Sequence, residues 1–164
     1  MILHVSKAFA DRMKCAISLP HQRPPQRAVL DSWSADILKV RKGGAVAVVM
    51  NDASLTTVIV PLKSIRKFEE FIAAFLKRAA ARFADQGGQL DSENQTVIVL
   101  SRSDRSLIGT MNEAKFILGN RIFGDLEGGG DIDWDRVEGY MNEVLYSRIE
   151  YDRPSDRLRK LLLS

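Results

Sequence analysis

The chain alternates short apolar runs with amphipathic stretches, and each kind of run predicts a different element. "ILHV" at 2–5 reads as a first strand, and Ser6 suits the N-cap of a helix from Lys7 to about Cys15, with Ala8, Phe9, Met13 and Ala16 on its apolar side. "LPHQRPPQR" follows, where Pro20, Pro24 and Pro25 exclude regular helix and predict an extended basic loop. Ile37 to Val40 reads as a strand ending at Gly43-Gly44. The apolar runs at 45–50 and 55–60 flank "NDAS" and predict an antiparallel hairpin. Their nearly continuous Val and Ile content predicts a central place in the sheet, with both faces covered.

The clearest helix lies between Ser64 and Gly87, where Phe68, Phe71, Ile72, Phe75, Leu76, Ala79 and Phe83 recur at three- and four-residue spacing. Lys77, Arg78 and Arg82 in its C-terminal part complement the helix dipole. "QTVIVLS" at 95–101 predicts another strand. A helix from about Ser106 to Phe123 carries Leu107, Ile108, Met111, Ala114 and Leu118 on one side. After a Gly-rich break, "WDRVEGYMNEVLYSRI" predicts a helix with Trp134, Val137, Met141, Val144 and Leu145 facing inward. Pro154 opens a last short helix with Leu158, Leu161 and Leu162, which must dock to be stable, either on its own domain or on a partner chain. The pattern predicts an α+β fold over residues 1–150, a mostly antiparallel sheet of four or five strands with helices packed on it, and a short C-terminal helical tail at 151–164.

Composition fits that picture. At 164 residues, with 45% hydrophobic and 27% charged, the chain is long enough for a core without staples. The single Cys15 cannot form an internal disulfide and reads as a thiol among apolar groups. No apolar run approaches the roughly 20 residues of a membrane span, so a cytoplasmic chain without membrane partners is expected. Charge is uneven: residues 1–82 hold 14 Lys+Arg against 6 Asp+Glu, whereas residues 83–164 hold 10 against 15. Either a basic half attracts an acidic partner or nucleic acid, or the halves neutralise each other within the fold or across a dimer.

Candidate chemistry is sparse. In "SRSDRSLIGTMNE", residues 101–113, helix N-terminal amides with Arg102 and Arg105 offer an anion site, while Ser103, Asp104 or Ser106 serve equally as helix caps. No Gly-rich loop with a following Lys-Ser/Thr marks a nucleotide site. Asp131, Asp133 and Asp135 resemble a calcium loop, but Arg136 and Asn142 stand where such a loop needs Gly and Glu. His4 and His21 lack partners at ligand spacing, so no metal and no cofactor is expected. No nucleophile elbow or H-E-x-x-H occurs.

"DSWSAD" at 31–36, "RKGGAVAVVMNDASLTT" at 41–57 and "SLIGTMNE" at 106–113 together resemble a family of small uncharacterised bacterial proteins with a Trp before a basic turn, an Asn/Thr hairpin and a Gly-x-Met-Asn helix start. The resemblance spans most of residues 1–145 and carries over Trp33, Arg41, Lys42, Asn51, Thr56, Gly109, Met111 and Asn112. It implies a fold and a residue list, not a mechanism. The expected function is a non-catalytic module that engages a protein partner or itself through the terminal helix, Leu158, Leu161 and Leu162, and the charge asymmetry. The rival is a nucleic-acid-binding protein, or an RNA-processing enzyme, in which Trp33, Arg41, Lys42, Arg102 and Arg105 meet backbone and bases. Asn51, Asp104 and Asn112 would then lie nearest the chemistry.

Overall fold

Side chains along one strand, β2 (Ser32–Val40), alternate between two environments and so set the architecture. Trp33 and Ala35 enter one apolar cluster, Leu38 and Val40 pack against a second, and Ser32, Ser34 and Asp36 form a buried polar row on that second side. The computed structural model describes residues 1–18, 29–40, 44–90, 95–127 and 131–164. The strands are β1 (Ile2–Val5), β2, β3 (Gly44–Asn51), β4 (Thr57–Pro61) and β5 (Ile98–Ser101), in the order β4-β3-β2-β1-β5. β1 pairs parallel with β2 and β5 over four positions each, while β2–β3 and β3–β4 are antiparallel over eight and five. The fold is α+β and the sheet mixed, mostly antiparallel by paired positions. The Pro-rich loop expected at 19–27 lies outside the described residues.

One face is covered by α1 (Lys7–Met13), α2 (Phe68–Asp85) and α5 (Pro154–Leu162), the other by α3 (Arg105–Glu127) and α4 (Trp134–Met141). Ser6 caps α1, accepting from Phe9 N–H at 3.1 Å. The phenylalanines of α2 make an aromatic ladder: Trp33 meets Phe75 edge-on at 5.1 Å between ring centres, and Phe9 meets Phe71 at 4.9 Å. Leu107, Met111, Ala114, Leu118 and Ile122 of α3 pack with Val46, Val48, Met50 and Ile59 on the opposite side. No helix among the described residues is long and apolar enough to cross a membrane.

The structure corrects four expectations. The strand read at 37–40 begins at Ser32, because its first half buries a polar row that apolar runs do not reveal. The hairpin is not central: β3 is interior, but β4 is an edge strand. Its continuous apolar sequence reports two covered faces, with Val58 and Val60 in one core and Ile59 in the other. The helix read over 134–149 stops at Met141 and gives way to a 3-10 turn at Ser147–Ile149, leaving Leu145 55% exposed. Finally, the leucine helix read as a partner surface docks on its own chain. Leu158 is fully buried, Leu162 occupies the space a Cβ at Gly88 would need, and Arg159 donates to Gln86 Oε1.

The break at Asn142 has a physical cause. Edge strands expose unpaired backbone groups, and on β4 these groups lie beneath α4, shielded from water. Glu138 Oε2 accepts from Ile59 N–H at 2.7 Å, while Asn142 Oδ1 accepts from Thr57 N–H and Asn142 Nδ2 donates to Thr57 O, both at 2.8 Å. Two helix side chains thus stand in for a sixth strand. Glu138, 1% exposed, also binds Arg78 Nε at 3.0 Å and Arg82 Nε at 2.6 Å, joining α2 to α4 around the sheet edge. Burial opposes the Arg78 charge, but Glu138 and Asp135 outweigh it and hold its pKa above the ordinary value.

Glu138→Ala is expected to lower unfolding free energy by about 3 kcal/mol, since it orphans the buried Ile59 N–H and leaves Arg78 and Arg82 only their exposed partners Asp135 and Asp85. Glu138→Gln keeps the acceptor and loses only part of that. Urea unfolding of both variants checks the ranking; equal losses would show that charge alone matters.

Candidate functional site

On β2 the alternation Ser-Trp-Ser-Ala-Asp sends Ser32, Ser34 and Asp36 to one side, each at most 5% exposed. His4 of β1 stands opposite Ser34 in the parallel register. The β3–β4 turn brings Asp52 over this row. Its carboxylate accepts from Ser32 Oγ at 2.5 Å and Ser34 Oγ at 2.8 Å, and His4 Nε2 lies 4.0 Å away. Asn51 fixes the turn: its Oδ1 accepts from Ala53 N–H and Ser54 N–H, and its Nδ2 donates to Leu30 O and Ser32 O. This accounts for an Asn that is fully buried.

One step along the row, Asp36 gathers three hydrogen bonds and a nearby guanidinium. Ser6 Oγ donates at 2.6 Å, Ile37 N–H at 2.8 Å and Lys115 Nζ at 2.6 Å, with the Arg102 guanidinium 3.3 Å away. Burial opposes the Asp36 charge, but the bonds from Lys115, Ser6 and Ile37 outweigh it and hold the carboxyl below its ordinary 3.8. At the β5–α3 junction Asp104 accepts from Leu107 N–H at 3.0 Å and pairs with Arg148 at 3.0 Å, so it caps α3. That backbone bond, with the Arg148 pair, lowers the Asp104 pKa. Arg102, the nearest cation for an anion there, is already turned to Asp36.

The residue types of a serine hydrolase meet here, yet their arrangement differs. Both hydroxyls donate to the carboxylate, and His4 lies beside Asp52 rather than in hydrogen-bond reach of a serine oxygen that it would deprotonate. The cluster is a pair of carboxylates saturated with donors. Elsewhere, a hollow of about 780 Å³ lies between β4, α2 and α4, walled by Val60, Pro61, Lys77, Arg78, Arg82 and Glu138. Its charged floor is the Glu138 network already described.

The residues singled out by sequence do not converge. Trp33 is fully buried on the face opposite Ser32 and Ser34, Asn51 is consumed by its turn, and Arg102 is ion-paired. Arg105 and Asn112 lie on the solvent side of α3. Leu158 is buried and Leu161 and Leu162 half-buried. Arg41 and Lys42 lie outside the described residues. His4, Ser32, Ser34, Asp36, Asp52 and Lys115, which the structure does bring together, left one signal: polar residues at every second position of a strand whose other positions are apolar. Across the two halves, Arg78 and Arg82 pair with Asp135 and Glu138, while Asp36 pairs in the opposite sense with Arg102 and Lys115.

A family model described as a domain of unknown function, DUF6933, matches residues 2–157. No curated protein matches the chain, and no solved structure matches it.

Because the Asp36 pKa is lower folded than unfolded, its contribution is complete above about pH 4 and is lost as pH falls through the folded value. Lys115→Met should reduce stability at pH 7 by about 2 kcal/mol and flatten the decline between about pH 5 and 2.5. Unfolding free energies measured across that range check it; an acid decline as steep as in the parent would place the effect elsewhere.

Proposed function

We propose that this chain, which belongs to the DUF6933 family, is a non-catalytic protein-binding module whose contact surface is the outer face of α3. The observation that carries this reading is an exposed aromatic pair on one helix: Phe116 and Phe123, two turns apart on α3, are 71% and 52% exposed. Single exposed hydrophobics are ordinary, but two aromatics aligned on one helix face form a patch, and patches mark contact sites. Aromatic side chains bring large buried area to an interface at small entropic cost.

The nucleic-acid reading is less well supported. Trp33 has no exposed ring to stack on a base, and Arg102 is bound to Asp36. On α3, Arg105, Lys115 and Arg121 are matched in number by Glu113, Asp125 and Glu127, so the helix presents no basic stripe of the kind phosphate tracking requires.

The test is site-specific photo-crosslinking in cells, with a benzophenone amino acid in place of Phe116 and, as control, in place of the exposed Lys77 of α2. Protein adducts are expected from position 116 and none from 77. Absence of protein adducts at 116, equal labelling at both positions, or adducts only with nucleic acid would each overturn the reading.

A further inference from the structure

We propose that the partner of this face is a second copy of the chain, with the two α3 helices packed antiparallel about a two-fold axis through Phe116. This rests on the reading of α3 as a docking surface and adds the identity of the occupant. Arg105, Gly109, Asn112, Phe116, Asn120, Phe123 and Glu127 are all exposed. Their intervals of four, three, four, four, three and four residues read the same in both directions from Phe116. Eleven residues drift by only about 20° around an α-helix, so these positions lie along one nearly straight line.

A two-fold axis through Phe116 sets each of these residues against its counterpart, so an isologous contact requires those pairs to be complementary. Reversing α3 on itself places Phe116 against its own copy, Asn112 against Asn120, Gly109 against Phe123 and Arg105 against Glu127. Each pairing is chemically matched. Nothing lies within 4 Å of where a Cβ would stand at Gly109, which leaves a seat for the Phe123 ring. Two carboxamides can exchange hydrogen bonds. Arg105 and Glu127 carry opposite charge, and the neighbouring ion pairs use Asp104 with Arg148 and Asp125 with Arg121 and Arg136 instead. A parallel arrangement in the same register would oppose Arg105 to Arg105 and Glu127 to Glu127, so charge selects the antiparallel one. A helix of 23 residues is about 34 Å long, which suits an interface at the low end of the specific class, about 1,200 Å² in total.

Sedimentation velocity of the purified full-length chain, from about 1 to about 500 µM, tests this. A monomer–dimer equilibrium is expected. Phe116→Ser should weaken it at least about tenfold. Arg105→Glu and Glu127→Arg should each weaken it, and the double variant should restore it, which a loss of folding could not mimic; all three positions are exposed. A dimer indifferent to Phe116→Ser, or charge reversals that fail to rescue each other, would overturn the proposed packing. A chain monomeric throughout that still forms adducts with another protein from position 116 would overturn self-pairing and leave the docking face standing. A monomer with no protein adducts would overturn both.

Discussion

A buried amide N–H with no acceptor is among the most unfavourable features a fold can carry, and the rim of this sheet is organised by that constraint. β4 is covered on both faces and its outer edge is roofed by α4, so Ile59 and Thr57 cannot turn to water for hydrogen bonds. Glu138 and Asn142 supply them. Once a carboxylate is fixed at that depth it needs cations, and Arg78 and Arg82 reach around the rim from the opposite layer. Helices that never share a face are thereby joined, and Asn142, the C-cap of α4, commits its side chain to the strand.

The same logic runs along β2. A strand whose alternate positions are Ser, Ser and Asp places hydroxyls and a carboxylate beneath α3, and each is satisfied by a group distant in sequence: Asp52 from the hairpin turn, Lys115 from α3, Ser6 from the first cap. The Lys115–Asp36 bond ties α3 to β2 across 79 residues of chain. On the longest helix, α3, Leu107, Met111 and Leu118 are buried while Phe116 and Phe123 stand exposed on the other side.

Local periodicity determined most of the elements by itself. The three- and four-residue spacing of Phe68, Phe71, Phe75, Ala79 and Phe83 can satisfy only a helix with one buried side, and the Val and Ile runs of the hairpin can lie only where both faces are covered. Ser6 as a cap and Pro154 as a helix start rest on backbone chemistry within a few residues. The resemblance to an uncharacterised family agrees with the family model of unknown function that covers residues 2–157. Tertiary structure alone decided that β4 forms an edge, that Trp33 faces the phenylalanine ladder rather than solvent, and that Leu158 turns into its own core. It also decided which charges are interior, because Glu138 meets Ile59, and Asp36 meets Lys115, across 79 residues of chain. A side chain's periodicity fixes which face it occupies; only the packing of distant segments fixes what that face meets.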